Sequence, residues 1–187
     1  MQPHDQFARI LEICKSFSQK IFNSSGNLHH CGRAPLCSDV EFIAISLFQE
    51  HCSIDSERRF FTELKTMLPE QSLKIGSRRN YNARKHRLAH YIEQLRRAIL
   101  PQLRATEHDN ITLIDSMPIE ACRYSRAKSC KILMDDEQNA PTFGFCATQQ
   151  QHYFGYKFHC VCSANGVIIR YDLSQAHHHD INYLNDV

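Results

Sequence analysis

The chain has 187 residues, enough for one domain or a small pair. An apolar fraction of 42% and a charged fraction of 22% are those of a globular protein and exclude a disordered one. No run approaches the roughly 18 apolar residues of a membrane helix, and the start MQPHDQFARI lacks the basic and apolar regions of a secretory signal. The expectation is a cytoplasmic protein with no membrane partner. Nine cysteines at irregular spacing form no CxxC pair, which favours free thiols acting as small apolar side chains over a metal site.

The net charge of +2 conceals an uneven distribution. Lys74, Arg78, Arg79, Arg84, Lys85, Arg87, Arg96, Arg97 and Arg104 share their stretch with a single acid, Glu93. The block Arg123, Arg126, Lys128 and Lys131 contains no acid. Charge clustered in this way favours a polyanion partner over a merely solvated helix face.

In chain order, Phe7, Ile10, Leu11, Cys14, Phe17 and Ile21 recur at helical spacing and predict a helix over residues 5–22. The Gly, Ser, Asn and Pro of residues 23–35 predict a loop, and a polar loop with adventitious His is favoured over a metal site made of His29, His30, Cys31 and Cys37. Ser38 and Glu41 have capping-box spacing and open a second helix with a stripe of Val40, Ile43, Ala44, Leu47 and Phe48. A third helix is expected from Asp55 as its cap, with Ile54 stapled to it, until Pro69 closes it. A fourth runs from Ser77 to Leu100, carries most of the arginines and is ended by Pro101. Two medium helices followed by a basic one suit a helix-turn-helix-like unit, whose last helix presents its N-terminal residues to DNA.

After Pro101 the pattern turns to strands. ITLIDSMPI (residues 111–119) predicts a strand stopped by Pro118, and YFGYKFHCVC (153–162) alternates with period two. Asn165-Gly166 signals a type I′ turn, and VIIRYDL (167–173) is the returning strand. The connection from Glu120 to Gln151 is longer than ordinary loops and so reads as functional or partly mobile. A final helix is expected from Asp180, with Ile181 and Leu184 on one face.

Asp115 sits on a rigid element beside an apolar run, where a carboxylate can hold Mg²⁺ together with substrate phosphate oxygens. The same position also suits an Asp that makes a turn before a proline. Lys157 and His159 share a strand face, open either to phosphate contact or to plain solvent exposure. His177, His178 and His179 are adjacent and point apart, so they read as loop residues.

The strings ITLIDSMPIEACRYSRAK and YFGYKFHCVCSANGVIIRYDLSQAHHHD resemble the start of the catalytic domain of bacterial insertion-sequence transposases, DDE type, with an RNase H-like fold. The upstream strings SDVEFIAISLFQEHCSIDSERRFFTELKTML and SRRNYNARKHRLAHYIEQLR are similar to that family's helical N-terminal part. Where the family often has Gly before the Ser of its G-S-x-x-D-like segment, this chain has Leu173-Ser174-Gln175-Ala176.

The resemblance implies an α+β or α/β chain. Residues 1–106 would form a helical, helix-turn-helix-like DNA-binding region, and residues 107–187 the start of an RNase H-like domain, truncated. It implies DNA strand cleavage and transfer by three acids and divalent metal in the intact parent, with Mg²⁺ as cofactor and Asp115 as the first acid and metal ligand. The later Asp and Glu strings of the family do not occur before Val187, so this chain is expected to be inactive alone. Asp180 reads as a cap or structural residue. The implied partner is double-stranded DNA, as terminal repeats and target, held by Arg78, Arg79, Arg84, Lys85, Arg87, Arg96 and Arg97 and near the reaction by Arg123, Arg126, Lys128, Lys131 and Lys157. Self-association or association with full-length transposase is also open. The alternative is a non-catalytic protein that occupies transposon ends or inhibits the full-length enzyme.

Overall fold

The computed structural model describes residues 2–28, 32–105 and 111–178. The chain divides into two compact units, Met1–Pro101 and Gln102–Val187. The expected helix from Asp180 and the residues His29, His30, Cys31 and His179 lie outside the described residues.

The first unit is helical. α1 (Pro3–Ser18) starts with proline in its first turn, where the missing N–H costs nothing. It ends short of the expected residue 22, because Ile21 and Phe22 both donate backbone bonds to the Ser18 carbonyl and turn the chain. α2 (Asp39–His51) is capped as predicted: Ser38 Oγ accepts the Glu41 N–H, and the Glu41 carboxylate accepts the Ser38 N–H. The expected stripe is too narrow, however. Phe42 and Ile45 are buried as well as Val40, Ile43, Ala44 and Phe48, so α2 is enclosed nearly all round and forms the centre of the core.

α3 (Glu57–Met67) is capped by Ser56 and not by Asp55, since it is Ser56 that accepts the Arg59 N–H. Leu68, at φ −140° and ψ 71° and so outside the helical region that a following proline disfavours, ends it. Pro69 does more than close α3, for it is the first residue of a short additional helix, α4 (Pro69–Ile75). α5 (Arg78–Ala105) runs through Pro101, contrary to the expected stop. A proline removes one bond and bends a helix, but the turns before it are anchored in the core by Leu88 and Leu95, and the helix continues for one more turn.

The second unit is an antiparallel sheet of β1 (Thr112–Cys122), β2 (Thr142–Cys146), β3 (Gln151–Ser163) and β4 (Ile168–Gln175). β3 is central. β1 pairs along one side of it, while β2 and β4 pair end to end along the other. Pro118 does not stop β1 but sits within it opposite Lys157. This is tolerated on a strand that has β3 on one side and no paired strand on the other among the described residues.

The long connection is more structured than expected, holding a 3-10 helix (Tyr124–Ser129) and β2. The turn after β3 is also different. Gly166 has φ 80°, Asn165 has no positive φ, and the bonds Gly166 N–H to Ser163 O and Ser163 N–H to Val167 O make a three-residue loop ending in a left-handed glycine.

Alternation gives the sheet two unlike faces. Tyr153, His159, Val161 and Ser163 of β3 are buried on one. The other, carried by Leu113, Met117, Phe143, Phe145, Tyr171 and Leu173, leaves those apolar side chains exposed.

Candidate functional site

Asp115 lies inside β1, paired with Cys160, which in turn pairs with Tyr171 on β4. It therefore stands on the exposed apolar face and is the one acidic side chain there among the described residues. Its Oδ1 accepts the N–H of Ser116 at 2.8 Å, which fixes the carboxylate beside the backbone. A divalent ion needs more than this. No group of three or more His, Cys, Asp and Glu side chains suited to a metal occurs among the described residues, and one carboxylate is at most a fraction of a Mg²⁺ shell.

Lys157 and His159 do share a face, as alternation requires, but neither is simply solvated. Lys157 Nζ donates to the His178 carbonyl at 2.8 Å, and His159 is buried with its Nε2 2.8 Å from Ser174 Oγ. His177 and His178 do not point apart: their rings lie 4.6 Å from each other, and His177 Nδ1 is 3.0 Å from Thr142 Oγ1. A cleft of about 410 Å³ opens at this edge of β2, lined by Phe143, Phe145, His152, Lys157, His177 and His178.

The arginines of the first unit fall into two groups. Arg78, Arg79, Arg87 and Arg97 are exposed. Arg84 is turned inward: its Nε and Nη2 bond Asp39 Oδ1 at 3.0 and 2.6 Å, Nη2 also bonds the Cys37 carbonyl, and the guanidinium lies 4.8 Å from the Phe42 ring centre. Arg87 reaches the same carboxylate at 3.4 Å from the surface. Lys85 pairs with Glu50, and Arg96 and Arg97 both pair with Glu93. In the second unit Arg123, Arg126, Lys128 and Lys131 are all exposed.

The sequence reading did not single out the aromatic group beside that basic block. Tyr124 lies 5.6 Å from Phe143 and 6.4 Å from His152; Phe143 lies 4.9 Å from Phe154 and Phe145 4.8 Å from His152. The period-two alternation of Phe143 and Phe145 in TFGFC was its one local signal, interrupted by Gly144. Cys14 and Cys37 are buried free thiols. Burial pushes the Cys14 thiol up to about 12 and the Cys37 thiol up to about 11, against the opposing pull of Arg84 on the latter.

The arrangement is of mixed α+β class, a helical region followed by a small antiparallel sheet. Residues 106–187 match the family model of the transposase DDE domain. That match lies within the second unit and is consistent with an insertion-sequence DDE transposase. No curated protein and no solved structure matches the chain. Among the described residues no helix is long and apolar enough to cross a membrane.

Proposed function

We propose that the chain serves DNA transposition as part of an insertion-sequence transposase, with residues 1–106 gripping duplex DNA and residues 107–187 contributing to the catalytic domain. The observation that carries this reading is Asp115, a lone carboxylate among the apolar side chains that the outer strand β1 gives to the exposed sheet face, within the segment that matches the transposase DDE domain. A charge there is out of place for packing and in place for holding a divalent ion against phosphate. Asp115 is the catalytic acid and metal ligand contributed by residues 1–187, and Mg²⁺ is the expected ion. No cluster among the described residues supplies the rest of its shell.

DNA backbone contact falls on exposed cations: Arg78, Arg79, Arg87 and Arg97 in the first unit, and Arg123, Arg126, Lys128 and Lys131 in the second. Lys85, Arg96 and Lys157 can join by exchanging their present partners for phosphate. Arg84 serves DNA binding indirectly, by holding the start of α5 against α2.

The test is binding of the full chain to duplex DNA across a salt series. Counterion release predicts that log affinity falls linearly with log salt, and that Arg78→Ala with Arg79→Ala lowers affinity and makes the slope shallower by about 2. A salt-independent affinity would overturn the reading.

A second reading rests on the single carboxylate. Residues 1–187 by themselves then act as a non-catalytic DNA-binding protein at transposon ends, alone or with full-length enzyme. Incubation with cognate ends and Mg²⁺ tests the incomplete site on which both readings rest. No nicking is expected from these residues alone, and cleavage that vanishes in Asp115→Ala would show a complete site.

A further inference from the structure

The 3-10 helix Tyr124–Ser129 and the β2–β3 hairpin bring four rings to one exposed surface: Tyr124, Phe143, Phe145 and His152. Tyr124, Phe143 and Phe145 are each about half exposed, at 52%, 51% and 53%. The rings meet edge-on or tilted, at 68° for Tyr124 against Phe143 and 50° for Phe145 against His152, and so do not consume one another's faces in parallel stacks. The chain around Tyr124 is basic without relief, for Cys122 to Met134 holds Arg123, Arg126, Lys128 and Lys131 and no acid. The cleft at the edge of β2 continues the surface past His152 to His177 and His178.

Exposed rings interleaved with cations fit one chemistry well. Unpaired nucleobases offer flat faces to stack on, and the phosphates between them need positive charge; a duplex hides those faces inside its own stack. We infer that the Tyr124, Phe143, Phe145 and His152 surface binds single-stranded DNA, stacking unpaired bases while Arg123, Arg126 and Lys128 hold the phosphates. This rests on the DNA-binding reading above and adds to it a second, strand-separated substrate form.

The chain has no tryptophan, so Phe145→Trp places a single fluorescent reporter on the surface. In the full chain its emission should be quenched by an oligothymidylate of about 12 nucleotides, within the range such sites cover, and not by a duplex of equal length. In fluorescence anisotropy with the same single strand, Tyr124→Ala and Phe143→Ala should each weaken binding by about tenfold. Tyr124→Phe, which keeps the ring, should retain it. Arg126→Ala should weaken it and flatten its salt dependence. Each variant must unfold at the temperature of the unaltered chain; if Phe143→Ala does not, Phe145→Ala, whose one ring neighbour is His152, replaces it. Duplex binding without single-strand binding overturns this inference and leaves the DNA-binding reading standing. Binding of neither form overturns both. Single-strand binding that ignores the loss of the rings also overturns it, and places the contact on the cations alone.

Discussion

Arg84 shows how far the partner of a charged residue decides its role. Its guanidinium is spent on Asp39, whose side chain is only 3% exposed and also accepts the Leu28 N–H. Removing one member of such a pair strands a charge in the interior, so Arg84→Ala should destabilise the first unit by about 3 kcal/mol. Arg79→Ala, at an exposed site, should change stability by less than about 0.5 kcal/mol. Urea unfolding of the two variants checks this, and equal losses would refute the assignment. A DNA-binding experiment that pooled Arg84 with Arg78 and Arg79 would mistake unfolding for lost contact.

Glu41 behaves differently. Burial pushes its carboxyl up, but the Ser38 hydrogen bonds and Lys74 outweigh burial and hold it below the usual glutamate range. A lowered folded-state value stabilises above the ordinary glutamate range and is lost as pH falls through the folded value. Acid titration of unfolding should therefore show a loss on that limb which Glu41→Gln lacks. The Ser38–Glu41 box was legible because both members lie within one helical turn. The Asp39–Arg84 pair spans 45 positions, and nothing local announces it.

Elements carry the next constraint. Gly155 sits where β1 crosses β3 at the irregular step between Glu120 and Cys122. A Cβ there would overlap the Ile119 carbonyl oxygen and come within 2.7 Å of the Ala121 nitrogen. Both obstacles are backbone and cannot swing aside, so Gly155→Ala should cost about 3 kcal/mol and loosen the end of β1. Thermal unfolding followed by far-UV circular dichroism would test it; an unchanged midpoint would mean that the two strands are not so close.

Strand β3 was legible because its alternation is long and uninterrupted. β2 was not, being five residues with Gly144 at the centre. Both proline stops failed for one reason. A proline removes the bond its own nitrogen would have made and, in a helix, crowds the turn before it, and at Pro101 and Pro118 the surrounding element survives that cost. Tyr81 makes the same point from the core. Its hydroxyl donates to Gln49 Oε1 at 2.8 Å and lies 3.4 Å from Ser46 Oγ, a buried network built across 32 and 35 positions. Burial pushes that phenol up to about 12.

At the scale of the molecule the two units solve burial differently. The helical unit encloses α2 and keeps Phe42, Ile45 and Phe48 at 1% exposure or less. The sheet unit leaves one apolar face open, with Met117 57% and Leu173 56% exposed. An apolar patch of that kind recruits apolar partners, including dyes and other chains. Met117→Lys combined with Leu173→Lys should reduce binding of a hydrophobic dye and raise solubility, and should leave the thermal midpoint within a few degrees. A large fall in that midpoint would show that the face is packed in solution. That Asp115 adjoins an apolar strand was legible from ITLID; its place within β1 on the open face was not, because registry with Cys160 and Tyr171 is a matter of pairing and not of local pattern.

The outer edge of β1, unpaired among the described residues, has a further consequence, in time and not in energy. Pro118 and Ser116 share a parity, and the Ser116 N–H is taken by the Asp115 carboxylate, so even-numbered residues of β1 turn their amides away from β3 and odd-numbered ones toward it. In heavy water β1 should therefore exchange like a comb. Met117 and Ile119 would keep their protons long after Ile114 has lost its own. Ser116 would fall between them for as long as Asp115 holds it. A metal ion that draws that carboxylate away should change the exchange rate of the Ser116 amide, and that one amide then becomes a clock for the occupancy of Asp115.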